Sequence, residues 1–178
     1  AGGHGMLARA EAGAWRLDHV RLADVSQARR IVAQPETEVD PFLRDWAVKY
    51  LGARMDARDA PRLIGVLGDQ YDVAAGSAIT LLARADFPDL PEQLCLMLDA
   101  RQNEAFCTNG ISVLGKRAYP DARKRTAVAA FLQNIISGGW SSPNAGLRIR
   151  YSGVLALKRL SRQDGQAQAA IRNCVNAL

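Results

Sequence analysis

Apolar residues in the segment DPFLRDWAVKYLG, residues 40–52, fall on one side of a helix. Leu43, Ala47, Val48 and Leu51 stand at positions i, i+4, i+5 and i+8. This spacing follows the 3.6-residue period of an α-helix. We therefore predict an amphipathic helix that buries this side and exposes the opposite one.

The same pattern recurs three more times, in SAITLLA, NGISVLG and SGVLALK, at successive intervals of 31, 32 and 43 residues. The long last interval contains SGGWSSPNAG, whose Gly, Ser and Pro content indicates a loop insertion. The aligned positions are Ala78, Ile79, Leu82 and Ala83, then Gly110, Ile111, Leu114 and Gly115, then Gly153, Val154, Leu157 and Lys158.

A second helical pattern lies between these copies. APRLIGVLGD and LPEQLCLMLDA align Leu63 with Leu94 and Leu67 with Leu98, and each carries a Pro where the first turn of a helix tolerates one. The segments SQARRIVAQ, ARKRTAVAAFLQNIIS and GQAQAAIRNCVNAL occupy the same place less regularly. Each unit is thus a helix pair, and a period of this length is typical of an α-solenoid in which stacked pairs share one core.

The first copy resembles the D-P-x-V-R-x-x-A-x-x-x-L-G pattern of HEAT-like repeats of the phycobilisome lyase type, with Leu43 in place of Val. The fourth copy keeps Ile149 and Arg150, whereas Ala75 and Cys107 stand where Arg belongs in the other two. The resemblance covers about residues 25–178. It implies an all-α fold, a right-handed α-α superhelix of about four to five helix pairs. Tetratricopeptide repeats have a similar period, but their Trp, Tyr and Pro positions are not met.

The start of the chain lies outside the repeats. Residues 6–24 are predicted to form an N-terminal capping helix. The preceding AGGHG has no periodic pattern and is interpreted as a tag remnant or disordered leader, which fits a cytoplasmic protein. The alternative is the new N-terminus left by a cleaved signal peptide, which would place the protein in an exported or periplasmic compartment.

The resemblance implies that the second helix of each pair lines a concave groove. The positions opposite the buried side of each second helix are called outward here. The last outward position of each copy forms a column that is basic in three consecutive copies, at Arg84, Lys116 and Arg159. These cations either compensate helix C-termini, worth about 0.3–1 kcal/mol each, or form a track for an anionic partner. The outward positions are Phe42, Asp45, Lys49 and Ala53; Val73, Gly76, Thr80 and Arg84; Ala105, Thr108, Ser112 and Lys116; Arg148, Tyr151, Leu155 and Arg159.

From these positions we predict a partner-binding set of Lys49, Arg84, Lys116, Arg148, Tyr151 and Arg159. Arg44 and Arg150 occupy the repeated Arg position, where the resemblance implies a structural pairing with a neighbouring repeat. Trp140, in the inserted loop, either folds back over the last repeats or is exposed for a partner.

The three cysteines have no paired metal spacing and are too few for a disulfide framework. Cys95 and Cys107 lie on the two helices of one hairpin, so they are predicted to lie near each other. We interpret them as two small apolar residues in contact, and a disulfide as the alternative. Cys174 is the third. No metal site and no cofactor are predicted.

Charge is divided unevenly along the chain. Residues 1–100 hold 11 Lys and Arg against 15 Asp and Glu, a net −4, whereas residues 101–178 hold 12 against 3, a net +9. Such a basic half would attract an anionic partner. No apolar run approaches the roughly 20 residues that cross a bilayer, so no membrane-spanning segment is predicted.

Catalytic patterns are weak. The two histidines, His4 and His19, lie before the repeats, so a nucleophile–base triad is not indicated. We therefore predict a non-enzymatic protein-binding solenoid, an adaptor, scaffold or inhibitor of immunity type, whose partner presents an acidic surface. The alternative is a nucleic-acid-binding HEAT-like protein, with a HEAT-like DNA glycosylase using Asp45 or Asp72 beside Trp46 as a further option.

Overall fold

The computed structural model describes residues 24–70, 73–100, 103–138 and 146–162 in full, and the backbone of 7–11, 14–20 and 72. The chain divides into two compact units, Ala1–Leu81 and Leu82–Leu178, which we call unit 1 and unit 2. Apart from one hairpin, the elements in this part of the chain are helical.

Two antiparallel strands stand where the sequence predicted a capping helix over residues 6–24. β1 spans Leu7–Glu11 and β2 spans Ala14–Val20, with Arg9 opposite Arg16 and an irregularity between the first two residues of β1. The capping-helix prediction was therefore wrong. The physical signal is the strict alternation of apolar and polar residues in WRLD and ARAE, which has the period of a strand.

Unit 1 contains three complete helices and most of a fourth, which crosses into unit 2. Asp40 begins α2 by accepting hydrogen bonds from the main-chain N–H groups of Phe42 and Leu43, and Pro41 occupies the first turn. The helices are α1 Val25–Ala33, α2 Pro41–Gly52, α3 Ala60–Val66 and α4 Asp72–Arg84.

Unit 2 contains the end of α4 and four further helices. Asn103 caps α6 and Asp121 caps α7, each through its side-chain oxygen. α7 ends at Gly138, whose φ of +80° is the left-handed conformation that favours glycine at a helix C-terminus. The helices are α5 Leu90–Ala100, α6 Glu104–Lys116, α7 Ala122–Ser137 and α8 Leu147–Ser161.

The four predicted copies of the repeated pattern all lie on helices, namely α2, α4, α6 and α8. Leu43, Ala47, Val48 and Leu51 are fully buried, and so are their main counterparts in α4 and α6. In α8 the pattern is looser, because Val154 is only half-buried. The helical period read from the sequence therefore identified the buried side of each second helix.

Within each unit the helices pack as two layers. In unit 1, α1 packs against α2 and α3, and in unit 2, α5 packs against α6 and α7 while α8 packs against α6 and α7. The first helices of adjacent pairs thus contact each other in both units, as α1 and α3 do in unit 1 and α5 and α7 in unit 2. In unit 2 the second helices α6 and α8 also contact each other. This layering lets adjacent pairs share one core.

Gly115 of α6 lies in close contact with α8. A Cβ atom there would lie 2.4 Å from the Cα of Ala156 in α8 and 2.6 Å from its Cβ. Carbon atoms normally pack at about 3.5–4.0 Å. The missing side chain of Gly115 therefore sets the spacing between α6 and α8.

Candidate binding surface

Lys49 belongs to unit 1, whereas the other five residues of the predicted partner-binding set belong to unit 2. Its Nζ forms an ion pair of 2.7 Å with Oδ2 of Asp45, one turn earlier in α2. Asp45 is buried, and its other oxygen accepts a hydrogen bond from Ser77. The charge of Lys49 is thus balanced within its own helix.

Arg84, Lys116 and Arg159, which we call the basic column, are exposed in the last turns of α4, α6 and α8. Within the described part of the chain, none of the three forms an ion pair with a carboxylate. Burial, and the neighbouring charge of Arg159, lower the pKa of the Lys116 amine. The like charge of Arg159 therefore acts on Lys116, and neither side chain pairs with a carboxylate of the described residues.

The outward side of α8 combines charge with exposed apolar surface. Leu147, Tyr151 and Leu155 are 86%, 64% and 36% exposed, at one-turn intervals. Arg148 and Arg159 flank them, and we call these five residues the α8 surface. Arg148 approaches Glu104 of α6 at 3.7 Å, an exposed pair that contributes little to stability. α8 itself contains no Asp or Glu.

Arg44, one of the two repeated arginines, is buried and binds two neighbouring segments. Its Nε and Nη2 donate to the carboxylate of Asp69, which follows α3, at 2.5 and 3.1 Å. Its Nη1 donates to the carbonyl of Gln34 at the end of α1. The side chain thus joins the ends of two first helices through α2.

Arg150 lies at the corresponding place in α8, half-buried, with its guanidinium against Gly138 at the end of α7. Its Nε is buried and has no hydrogen-bond partner among the described residues. Arg44 and Arg150 therefore both place a guanidinium near the end of the preceding first helix.

Arg117 was not predicted from the sequence, yet its guanidinium joins α6 to the end of α4. It is buried, and it donates to the carbonyls of Leu82, Ala85 and Phe87 at 3.1, 2.6 and 2.9 Å. These carbonyls lie at and just after the end of α4, where a helix leaves acceptors without partners. Arg117 occurs outside the repeated Arg position, so the repeat pattern gave no signal for it.

A cleft of about 570 Å³ opens beside the basic column. Its walls come from the end of α4, the start of α5, the end of α6 and the start of α7. An apolar slot of about 250 Å³ shares Pro91 and Lys124 with it. The residues lining the cleft include Arg84, Asp86, Pro88, Pro91, Lys116, Arg117, Tyr119, Pro120, Asp121 and Lys124. This cleft was not predicted from the sequence, because its prolines are dispersed over two loops and the first turn of α5.

The remaining candidates have structural surroundings or fall outside the described residues. The rings of Trp46 and Tyr50 lie with their centroids 6.0 Å apart and their planes tilted by 35°, and the guanidinium of Arg54 lies 4.3 Å from the centroid of the Tyr50 ring. Asp45 was the candidate beside Trp46 for a glycosylase site, but its two carboxylate oxygens accept hydrogen bonds from Lys49 and Ser77. Trp140 lies outside the described residues.

Cys95 and Cys107 are free thiols, the first half-buried and the second buried. Burial raises the pKa of the Cys95 thiol to about 12, with Asp99 and Glu92 adding to the effect, and burial also raises the pKa of Cys107. Thiols in such surroundings are poor nucleophiles. Cys174 lies outside the described residues.

Groups of three or more His, Cys, Asp or Glu residues that could hold a metal ion do not occur in the part of the chain that the structure describes. In that same part, no helix is long and apolar enough to cross a membrane. Comparison of the chain with protein-family models, with curated proteins and with solved structures found no match in any of the three.

Proposed function

We propose that this chain is a HEAT-like repeat protein, a right-handed α-solenoid without catalytic activity, that binds another protein through the outward sides of its second helices. The partner would present an acidic surface with apolar residues inside it. The protein would then act as an adaptor, a scaffold or an inhibitor. The repeated helical pattern, the layered helix pairs within each unit and the guanidinium positions of Arg44 and Arg150 support the HEAT-like assignment.

The α8 surface is the single observation that carries the binding function. Leu147, Tyr151 and Leu155 would lose unfavourable contact with water when covered, at about 25 cal/mol for each Å² of apolar area. Tyr and Arg are enriched at the energetic centres of protein interfaces. A surface that places both types around exposed leucines, with no carboxylate on the helix, therefore suits a protein partner of complementary charge.

Nucleic-acid binding is the second candidate, and the basic column favours it. The net +9 of residues 101–178 would neutralise phosphates. Part of that charge is committed to the fold, however, because Arg117, Lys124 and Arg125 donate to main-chain carbonyls. Exposed leucines also gain nothing from a phosphate backbone. For these reasons we rank the protein partner first.

The test is capture of partners by the tagged chain from the lysate of its native host, with and without nuclease. The informative variant is Arg148→Glu/Arg159→Glu. The matched control is Arg30→Glu/Arg123→Glu, which changes the charge equally at two exposed positions, on α1 and α7, that are not part of the α8 surface. We expect a discrete protein band that survives nuclease, disappears with the first variant and persists with the control.

The opposite result is equally clear. Recovery of nucleic acid alone, released progressively as salt is raised, would identify the basic column as a phosphate track. The protein-binding proposal would then be abandoned. Circular dichroism of each variant shows whether the helices remain folded, so that loss of binding is separated from loss of structure.

A further inference from the structure

The cleft beside the basic column has the size and composition of a binding site. Its volume of about 570 Å³ falls within the range of about 300–1,000 Å³ that ligand-binding clefts occupy. Tyr119 and the prolines at 88, 91 and 120 give it apolar walls. Because Tyr119 is buried and donates its hydroxyl hydrogen to the carbonyl of Leu114, these walls are held in place by the fold.

The cations of the cleft differ in whether they are already paired within the fold. Arg117 is committed to three carbonyls, and Lys124 donates to the carbonyl of Pro88 and pairs with Glu92 at 3.2 Å. Arg84 and Lys116 have no carboxylate partner in the described part of the chain. They are thus the two cations of the cleft that can receive an anion.

The surroundings of Lys116 give an anion a further advantage. Partial desolvation and the like charge of Arg159 both lower the pKa of the Lys116 amine. Like charges at short range destabilise the folded chain, more strongly where water is partly excluded. An anion bound beside Lys116 would convert this repulsion into attraction without rearranging the helices.

The apolar slot next to the cleft suits a side chain without charge. Lys124 lies at both the slot and the cleft, and the carboxylate of Glu92, which also lines the slot, is paired with it. The other residues that line the slot are uncharged, namely Pro91, Cys95, Ala127, Val128 and Phe131. Its volume of about 250 Å³ can take one branched or aromatic side chain. A ligand that enters both spaces must therefore carry an anionic group and an apolar group close together.

We infer that the cleft and its slot bind a short segment of the protein partner, with a carboxylate between Arg84 and Lys116 and a neighbouring apolar side chain in the slot. A carboxylate fits better than a phosphate, because Asp86 and Asp121 also line the cleft and would repel a dianion more strongly than a single charge. The inference rests on the proposed protein-binding function and names the chemistry of the segment recognised.

The test uses a fluorescent, N-acetylated peptide Glu-Glu-Leu-Glu-Glu, with binding to the full chain followed by fluorescence anisotropy at low salt. Two matched peptides replace every Glu with Gln, or the Leu with Ala. Charge-assisted hydrogen bonds are the strong ones, so we expect Arg84→Gln/Lys116→Gln to weaken binding at least about tenfold. The control Arg30→Gln/Arg123→Gln should change it less than about twofold.

The slot is tested separately by Ala127→Trp, at an exposed slot position on α7. We expect this variant to bind the Leu and Ala peptides equally, because the indole fills the slot. Equal binding of the Glu and Gln peptides, or full binding by the cleft variant, would overturn the inference. Competition by inorganic phosphate at the same concentration as the peptide would overturn the choice of carboxylate.

The two proposals fail in different ways. If no protein is captured by the wild-type chain, the protein-binding function fails whatever the peptides do. If a protein is captured through the α8 surface but the acidic peptide binds Arg84→Gln/Lys116→Gln as tightly as the wild type, only the cleft inference fails.

Discussion

Gly115 gives the most direct test of the helix packing in unit 2. In Gly115→Ala the new Cβ would meet the Cα of Ala156 at 2.4 Å, so α6 and α8 must separate by about 1 Å to reach a normal contact distance. Overpacking of this kind costs about 1–3 kcal/mol, and the upper end applies because the obstacle is main chain. Ala gains about 1 kcal/mol over Gly in a helix interior. We therefore expect a net loss of about 2 kcal/mol.

Two other glycines provide matched controls for the same substitution. Nothing lies within 4 Å of a Cβ built at Gly76 in α4, so Gly76→Ala should be stabilising by about 0.5–1 kcal/mol. At Gly52 the obstacle is the end of the flexible Leu81 side chain, and the change should be small.

Stability is measured by urea unfolding followed by circular dichroism, with hydrogen exchange assigning the change to α6 and α8. If Gly115→Ala proved as stable as Gly76→Ala, the close packing of α6 on α8 would be refuted.

Three further predictions concern buried polar groups. Arg117→Met leaves three carbonyls after α4 without their donor, and we expect unfolding in urea to show a loss of about 2–3 kcal/mol, whereas an unchanged midpoint would contradict the contact. Arg29 holds the pKa of Asp59 below its usual range, so the pair stabilises the fold above about pH 4, and this stabilisation is lost as the pH falls. Arg29→Met should therefore make the free energy of unfolding less dependent on pH in acid. A variant with the same pH dependence as the wild type would disprove this role of the pair. Iodoacetamide at mildly alkaline pH should label the buried Cys107 only after denaturation, and the half-buried Cys95 slowly, because its raised pKa leaves little thiolate. Mass spectrometry showing fast labelling of either thiol in the folded chain would contradict this.

The repeated helices were the part of the fold that the sequence could predict. Leu43, Ala47 and Leu51 recur at one period because each second helix buries the same side, and local spacing is enough to reveal that. The N-terminal hairpin was not predicted, since its strands are short and their two-residue period was overlooked beside the helical repeats.

The candidate site was harder to predict, because it depends on contacts between residues distant in sequence. Arg84 and Lys116 could be placed on one side of their helices, but the cleft between them needs the loops around Pro88 and Pro120 to be positioned in space. The commitment of Arg117 to carbonyls of α4 likewise spans 30 to 35 residues. Charge counting alone could not separate such a structural cation from one available to a partner.

The different acceptors used by the half-buried Arg29 and the buried Arg117 give the two units unequal resistance to acid. In unit 1, Arg29 is held by the carboxylates of Asp56 and Asp59, which lose their charge when protonated. In unit 2, Arg117 is held by main-chain carbonyls, which do not titrate. Acidification should therefore loosen unit 1 while the Arg117 contacts persist.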